Sequence, residues 1–405
     1  MAYRKSGTPF LYDSATNDIV GIVDPDGSEK TFVTTTSFIG QVATRSGLLN
    51  WTNTSNKQMM SRSLHKAREA ITKLKIAVPN WYCALQVSPS NGTEANNGAA
   101  TTVTASIEYP VGTFTQVTFG GSTSGVNPAG STILSDWVAV TIPDGAEFYV
   151  RLWTSNATGL IYYNNHVAQS GEMNAFGATT PDLTMGGSFT TATTIMQVPC
   201  AIIGEATRPS YWLAGDSRGS GITDSADVSR NVGELARSIG NKFAYINGCI
   251  ASDRVNLAAA NYTRRLELSQ YCTHVISNYG INDNRSDAGN RSSAQVIGDL
   301  VTFSALFGGK PFYQCTIAPY TSSTDSWATT ANQSTAVNAN HAQLLVLNDA
   351  IRAGGVTSAW GVIDIWNAVT TSGVWTPSLT GDGLHENRRG NLTLQASNAI
   401  LPALA

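Results

Sequence analysis

The sequence predicts an α/β fold in which a parallel sheet with helices on both faces follows an antiparallel β-sandwich. Between residues 81 and 206, short β-prone runs alternate with clusters of Gly, Asn, Ser and Pro. That spacing is typical of antiparallel sandwiches and jelly rolls. From Ser210 onward, apolar strand-like runs alternate with helical stretches, which indicates a parallel sheet. The length of 405 residues favours two or three domains.

Composition argues against several classes of function. Charged residues make up 13% of the chain and the net charge is −3. No basic block is present of the kind that nucleic-acid phosphates require, so we expect no nucleic-acid partner. No apolar run approaches the roughly 18 residues of a transmembrane helix, and we expect no membrane span. The five cysteines are widely spaced, which predicts small buried thiols and no disulfide framework.

Residues 1–60 are predicted to form an N-terminal arm with a short hairpin. A turn-forming Asp-Pro-Asp-Gly at 24–27 lies between the β-prone runs 19–23 and 31–33. The run 7–32 resembles opening segments of phage tail and virion proteins. No apolar segment of a secretory signal peptide follows residues 1–5. The sequence leaves two locations open, a virion or phage tail and the space outside a cell. It also leaves open whether the chain assembles as a homo-oligomer or within a virion.

Residues 61–206 are predicted to form a helix followed by the β-sandwich or jelly-roll-like domain. Residues 61–75 place one set of apolar side chains on a single helical face, namely Leu64, Ala67, Ala70, Ile71 and Leu74. The predicted strands, several of which alternate apolar and polar residues, are 82–87, 101–109, 114–119, 137–142, 148–153 and 194–203.

Residues 207–405 are predicted to form the second large domain, in which strands alternate with helices. The predicted strands are 211–214, 243–246, 274–277, 311–317 and 361–365. The predicted helices are 228–239 with Gly240 as a cap signal, 257–271, 294–307, 336–352 and a last one from 392.

Three residues follow successive predicted strands of this domain. Ser217 comes after the first strand, Gly248 after the second and Asn282 after the third. Ligands of open parallel sheets gather beyond the carboxyl ends of the strands. The sequence therefore predicts that these three residues meet at one edge of the sheet.

A serine, a histidine and an aspartate could act together at this edge. A serine hydroxyl needs a base to take its proton. Among the five histidines, only His385 follows an acid, Asp382, by three residues in a glycine-containing loop. The Asp382 carboxylate could orient the imidazole for Ser217. The backbone N–H groups of Ser217 and Gly248 and the Asn282 amide could stabilise an oxyanion.

These residues stand in four blocks that resemble those of the SGNH (GDSL-type) hydrolase family. The blocks are Gly-Asp-Ser at Ser217, Asn-Gly-Cys at Gly248, Gly-Ile-Asn-Asp at Asn282 and Asp-Gly-Leu-His at His385. The resemblance covers about residues 210–405. It implies a three-layer α/β/α domain and a carboxylic ester hydrolase with a Ser-His-Asp triad and an acyl-enzyme. We expect no cofactor, and no metal because no His/Asp/Glu cluster has ligand spacing.

Arg218 departs from the family pattern, which has Leu after the nucleophile. It is a candidate substrate contact, and the alternative is a structurally paired or solvated arginine. Asp216 and Asp283 are expected to be structural. Asp364, at the end of a predicted strand, is a rival to Asp382 as the acid of the triad.

Two features favour a carbohydrate ester as the substrate. The second large domain has no long apolar lid segment of the kind that meets a lipid surface. The preceding region contains aromatic and amide side chains that suit sugar binding, among them Trp137, Trp153, Tyr162, Tyr163, Asn164 and Asn165. SGNH enzymes with an attached jelly roll resemble carbohydrate O-acetyl esterases, so we predict polysaccharide deacetylation. The alternatives are a short-chain acyl or lipid esterase and an inert carbohydrate-binding or virion structural protein.

Overall fold

The computed structural model describes residues 2–4, 10–13, 19–23, 29–31, 37–84, 92–401 and 404. These residues divide into two compact units, Met1–Phe38 and Ile39–Ala405. The first unit contains an antiparallel sheet whose strands pair in chain order, Ala2–Arg4, Phe10–Asp13, Ile19–Val23 and Glu29–Thr31. Pairing of the last two strands confirms the predicted hairpin, and the turn predicted at 24–27 lies outside the described residues.

Two antiparallel sheets within residues 38–206 form the predicted sandwich. In spatial order, one contains Phe114–Val117, Thr101–Glu108, Glu147–Asn156, Gln58–Lys66 and Met173–Gly177, with Ser124–Asn127 also paired to Thr101–Glu108. The other contains Thr132–Leu134, Ile71–Pro79, Ala201–Ala206 and Phe38–Gln41, with Val138–Ile142 also paired to Ile71–Pro79. Val78 of the second sheet and Leu152 of the first line a common cavity, which shows that the sheets face each other.

The predicted helix at 61–75 is wrong. Its residues form most of the Gln58–Lys66 strand and the start of the Ile71–Pro79 strand. The first of these pairs with neighbours on both sides, and residues 59–65 are all buried. A strand that is buried on both faces lacks the alternation of a half-exposed strand, and its apolar residues can fit a helical spacing by chance. Pairing with distant segments decides the conformation here.

Short strands complete the antiparallel part of the second unit. They pair Tyr82–Cys83 with Glu94–Ala95, Leu160–Asn164 with both Ile195–Met196 and Trp51–Asn53, Ser322–Ser323 with Gln333–Ser334, and Thr370–Thr371 with Val374–Trp375. The predicted strand at 194–203 is thus divided between Ile195–Met196 and Ala201–Ala206.

A six-stranded parallel sheet organises the C-terminal half. Its strands in chain order are β1 (Ser46–Gly47), β2 (Ser210–Ala214), β3 (Ala244–Asn247), β4 (His274–Ser277), β5 (Phe312–Cys315) and β6 (Gly361–Ile363). Their spatial order is β6-β5-β4-β2-β3-β1, and every neighbouring pair is parallel. The five predicted strands are confirmed, and β1 was not predicted. Strand order reverses between β2 and β4, which is where open sheets bind ligands.

Helices cover both faces of this sheet, as the three-layer prediction requires. Trp212 and Ala214 of β2 belong to one buried cluster, and Tyr211 and Leu213 to another. The first cluster is covered by Val255–Ala260, Thr263–Ser269, Ser293–Ala305 and His341–Arg352. The second is covered by Glu234–Ile239, Ile365–Val369 and Arg388–Ala396. The short helices are Ser217–Ser220, Ile281–Asn284 and the 3-10 turn Thr335–Val337.

Two predicted helices differ in extent from the observed ones. The segment 257–271 contains two short helices with Asn261 and Tyr262 between them. The segment 228–239 becomes helical only at Glu234, after Gly233 at φ 95°, and Val228 is 91% exposed. Apolar spacing therefore located both regions but not their ends.

The sandwich and the parallel sheet contribute to one buried cluster. Trp81 and Ala201 of the antiparallel part share it with Trp212 and Ile246 of the parallel sheet. The predicted domain boundaries at residues 60 and 206 stay predictions. No helix in the described part of the chain combines the length and hydrophobicity needed to cross a bilayer.

The sandwich contains a buried ion cluster, and we expect the stability of the protein to depend on the charge of that cluster. The Glu108 carboxylate, 2% exposed, accepts hydrogen bonds from Arg62 Nε at 2.7 Å and Arg151 Nε at 2.9 Å. Burial alone would raise the pKa of Glu108, but these bonds hold it at about 2. Glu108→Gln should lower the free energy of unfolding by about 3–5 kcal/mol, because two buried guanidinium groups lose their counter-charge.

Urea unfolding at several pH values would measure this effect. The stability from ionised Glu108 is present above its unfolded pKa of about 4.3 and lost as pH falls through the folded value. Wild type and Glu108→Gln should therefore converge at low pH. The control is Asp144→Asn in the exposed pair with Arg208, which should cost under about 1 kcal/mol. Equal losses in the two variants would contradict a buried, energetically coupled cluster.

Candidate active site

Ser217 lies directly beyond the carboxyl end of β2. It begins the helix Ser217–Ser220, and the Asp216 side chain caps that helix by accepting from Arg218 N at 3.1 Å. A Cβ atom at Gly215 would lie 1.5 Å from Asn278 Oδ1. Only glycine fits there, which explains the first residue of the Gly-Asp-Ser block. Ser217 is 7% exposed.

The structure brings Ser217, His385 and Asp382 into a continuous chain of contacts. Ser217 Oγ lies 2.7 Å from His385 Nε2. His385 Nδ1 lies 2.6 Å from Asp382 Oδ2. With its proton on Nδ1, the imidazole donates to the carboxylate and presents Nε2 as an acceptor to the serine hydroxyl. This is the arrangement that a serine nucleophile and its base require.

The loop that carries the histidine also stabilises the carboxylate. Asp382 Oδ1 accepts from the backbone N–H of Leu384 at 2.9 Å and of His385 at 2.8 Å. Burial would raise the pKa of Asp382, but the hydrogen bonds from the His385 ring and backbone hold it well below its ordinary value. The carboxylate therefore stays ionised and available to an imidazolium at any ordinary assay pH.

Asn282 lies beyond the end of β4, in the short helix Ile281–Asn284. Its Nδ2 donates to the Asp253 carbonyl at 3.2 Å, and its Oδ1 lies 3.5 Å from an Arg285 nitrogen. These contacts fix the orientation of the amide. One Nδ2 hydrogen engages Asp253, which leaves the second for another acceptor.

Gly248 does not have the predicted role. Its backbone N–H donates to the Leu213 carbonyl at 2.8 Å, so this donor extends the pairing of β2 and β3. A Cβ atom at Gly248 would lie 2.3 Å from Trp212 Cζ2. The glycine is therefore required for packing, and its assignment to the oxyanion hole is wrong.

The turn at residues 250–253 offers a backbone donor that was not predicted from the sequence. Asp253 N donates to the Ile250 carbonyl at 3.1 Å, and Ser252 has φ 63°. Ile250 N donates to the Gly215 carbonyl at 2.9 Å, while Asn282 holds the Asp253 carbonyl. The turn is thus tied to both neighbouring blocks. Within the described residues, no acceptor is found for the Ser252 N–H, which stands at a position that usually favours glycine.

Arg218 is buried, and its assignment as a substrate contact is wrong. The residue is 3% exposed. Its guanidinium donates to the carbonyls of Leu384 at 2.8 Å, Ala318 at 3.0 Å and Pro319 at 3.1 Å. The structural alternative for this residue is therefore correct.

Buried acids surround the Arg218 charge. Burial raises the pKa of Asp216, Glu234 and Glu386, and the positive charge of Arg218 opposes that rise in each. Neither carboxyl oxygen of Glu386 has a hydrogen-bond partner among the described residues. Arg218 thus partly neutralises an acidic interior immediately behind the serine and the histidine.

The other two candidate acids, Asp283 and Asp364, are hydrogen-bonded to groups away from His385. Asp283 accepts from the backbone N–H groups of Val255 at 3.0 Å and Asn256 at 3.2 Å, and burial raises its pKa to about 7. Asp364, the rival acid, receives hydrogen bonds from Arg352 at 2.9 Å and Thr316 at 2.9 Å. The Asp364 carboxylate is thus hydrogen-bonded to Arg352 and Thr316, whereas the Asp382 carboxylate is hydrogen-bonded to His385.

The cysteines and the remaining histidines were also located in the structure. All five cysteines are free and buried, as predicted. Across the residues that the structure describes, no group of three or more His, Cys, Asp or Glu side chains could hold a metal ion. His65 lies in the Gln58–Lys66 strand and not on the predicted helix.

Comparison with known proteins gives remote likenesses alone. No family model and no curated protein matches the chain. Among solved structures, a lipase/acylhydrolase from Enterococcus faecalis is 20% identical, with 47% of this chain and 94% of that chain covered and a TM-score of 0.35. A GDSL-like lipase from Bacteroides thetaiotaomicron is 14% identical (48% and 89% covered, TM-score 0.36). A catalytic mutant of an acetylxylan esterase from Geobacillus stearothermophilus is 15% identical (49% and 94% covered, TM-score 0.36). Similarity this remote does not assign the family, and function must follow from the site itself.

Replacing Arg218 separates its structural role from substrate binding. Arg218→Met should lower the free energy of unfolding by about 3–5 kcal/mol, because three buried carbonyls lose their donor and the buried acids lose a nearby positive charge. Any folded fraction should keep the wild-type KM for an ester substrate. Arg389→Met, at an exposed position, is the control and should change neither quantity. A stable Arg218→Met protein with a raised KM would instead support substrate contact.

Proposed function

We propose that this protein is a serine esterase that removes O-acetyl groups from a polysaccharide through an acyl-enzyme. The observation that carries the proposal is the contact chain from Ser217 Oγ through His385 to Asp382, at 2.7 and 2.6 Å. A serine at a helix start beside a sheet edge, hydrogen-bonded to an imidazole that a carboxylate orients, is suited to acyl transfer.

In the proposed reaction, Ser217 Oγ attacks the acetyl carbon while His385 Nε2 takes the hydroxyl proton. The imidazolium then gives that proton to the sugar oxygen as the ester C–O bond breaks. Water attacks the acetyl-serine while His385 Nε2 takes one of its protons. The bond between Ser217 Oγ and the acetyl carbon breaks, the imidazolium returns the proton to Ser217 Oγ, and acetic acid leaves and ionises to acetate. Asp382, whose pKa is held low, stabilises the imidazolium in both halves.

Three donors are assigned to the oxyanion in this proposal. The Ser217 N–H is the first of its helix and has no intrahelical acceptor. The Ser252 N–H takes the place predicted for Gly248, because the turn at 250–253 is hydrogen-bonded to Gly215 and Asn282. The free Nδ2 hydrogen of Asn282 is the third. Removing one such donor typically lowers kcat by about 10²- to 10³-fold.

Side chains near Asn282 and on the sandwich support a polar substrate. The Arg285 guanidinium lies 4.7 Å from the centre of the Tyr320 ring and pairs with Asp287. Segment 321–334 is rich in Ser and Thr and contains no long apolar stretch. In the sandwich, Tyr162 is part of the core, whereas Trp137 is 40% exposed. Aromatic faces beside hydrogen-bonding groups suit sugars better than acyl chains. Attachment to a virion or assembly as a homo-oligomer stays a prediction.

Substitution of the nucleophile tests the esterase. Ser217→Ala should abolish release of p-nitrophenol from p-nitrophenyl acetate and labelling by a fluorophosphonate probe. Asn282→Ala should keep the labelling but lower kcat by about 10²- to 10³-fold. Ser225→Ala, at an exposed serine in the following loop, is the matched control. Absence of labelling in the folded wild-type protein would favour the inert binding or structural alternative.

Acyl length and polysaccharide treatment test the substrate class. The wild-type protein should prefer acetyl over octanoyl p-nitrophenyl esters by at least tenfold in kcat/KM. Mass spectrometry should show loss of acetyl groups from an acetylated bacterial polysaccharide with wild type and not with Ser217→Ala. A preference for octanoyl esters would favour the lipid or short-chain acyl alternative and leave the nucleophile assignment intact.

A further inference from the structure

A tight turn at residues 325–328 has an unusual backbone. Ala328 N donates to the Asp325 carbonyl at 3.3 Å, and the two central residues, Ser326 and Trp327, have φ values of 56° and 58°. Two consecutive positive φ values define a turn that normally contains Asn, Asp or Gly. A bulky side chain in this conformation is rare and persists only where the surroundings enforce it.

The Asp325 side chain enforces the turn. Its carboxylate accepts from Ser323 Oγ at 2.7 Å, Thr329 Oγ1 at 2.7 Å and Asn332 Nδ2 at 3.0 Å. Ser323 Oγ in turn accepts from Trp327 N at 2.9 Å. The direction of the Trp327 side chain is therefore set by a network that lies outside the reacting groups.

The indole of Trp327 lies against the loop that carries the acid and the base. Gly383, the residue after Asp382, has φ 77°, and a Cβ atom there would lie 2.6 Å from Trp327 Cζ2 and 1.8 Å from the Thr321 carbonyl oxygen. Trp327 Nε1 donates to Thr321 Oγ1 at 2.9 Å, and Thr321 N donates to the Gly383 carbonyl at 2.9 Å. The same carbonyl accepts from Trp375 Nε1 at 2.9 Å.

The contact between Trp327 and Gly383 can position the loop at 382–385, because one side of that loop faces solvent. The Asp382 side chain is 40% exposed and the His385 side chain 12%. The loop's internal hydrogen bonds fix Asp382 relative to His385 but not the pair relative to Ser217. Contacts from Thr321, Trp327 and Trp375 hold Gly383 against the rest of the domain, and Arg218 holds the neighbouring Leu384 carbonyl.

We propose that Trp327 is a positioning residue for the esterase proposed above, on which this inference rests. Its indole, held in place by the strained turn at 325–328, packs on Gly383 and keeps His385 Nε2 within reach of Ser217 Oγ. It does not touch the reacting atoms. Misplacement of a catalytic group by about 1 Å can cost about 10²-fold in rate, so a small shift of this loop is sufficient.

Kinetics of substitutions in the turn test the proposal. Trp327→Gly removes the indole and is compatible with the positive φ, so it should lower kcat for p-nitrophenyl acetate by about 10- to 100-fold with KM within twofold. Ser326→Gly relieves the same kind of strain at an exposed side chain and should leave kcat within twofold. Trp327→Phe keeps a ring on Gly383 and should recover most of the rate.

Proton NMR gives a readout that does not depend on turnover. The His385 Nδ1 proton in its hydrogen bond to Asp382 should give a far-downfield resonance in wild type, Ser326→Gly and Trp327→Phe. It should broaden or disappear in Trp327→Gly. Near-UV circular dichroism checks folding. If Trp327→Gly does not fold, Trp327→Asn, which also removes the indole and tolerates the positive φ, should show the same change.

The outcomes separate this inference from the proposed function. Wild-type kcat and an unchanged resonance in folded Trp327→Gly, or in Trp327→Asn where the glycine variant does not fold, would overturn the positioning role. An inactive wild-type protein whose resonance still depends on Trp327 would refute the esterase but retain the positioning. A raised KM with unchanged kcat would reassign Trp327 to substrate contact and equally overturn the inference.

Discussion

The arrangement of the site depends on the close approach of Asn278 to the backbone after β2. Asn278 Oδ1 accepts from Asp216 N at 3.3 Å and occupies the space that a side chain at Gly215 would need. Its Nδ2 donates to Glu234 at 2.5 Å. Because β2 and β4 are neighbours at the reversal of strand order, this single amide aligns the block that carries the serine with the block that carries Asn282.

A second constraint joins the serine block to the histidine block. Arg218 follows the nucleophile directly, and its guanidinium donates to the Leu384 carbonyl, one residue before His385. A buried charge is costly unless it is paired and hydrogen-bonded. Here three carbonyls and the surrounding acids satisfy it. The serine and its base are thus coupled through the protein interior as well as through their direct hydrogen bond.

The sequence predicted the parallel sheet and the serine, acid and histidine because each signal was local. The strands are continuous apolar runs, and Asp382 lies three residues from His385. The failures were non-local. The strand at 58–66 depends on partners near residues 150 and 175. Gly248 has the sequence context of a turn glycine with a free N–H, although its N–H donates to the Leu213 carbonyl. The turn at Ser252 could not be found, because its positive φ is imposed by tertiary contacts on a residue other than glycine.

The sandwich is held to the parallel sheet by shared packing and not only by a linker. The two-residue strand β1 extends the parallel sheet beside β3, and Leu48 directly after it enters the same buried cluster as Trp81 and Trp212. Separating the two layers would expose these side chains to water, at a cost of roughly 1.5–3 kcal/mol for each large apolar group. Any sugar-binding surface on the sandwich therefore has a fixed orientation to Ser217. Such a surface would present a polymer to Ser217 in one orientation, because hinge motion between the sandwich and the parallel sheet would break their common core.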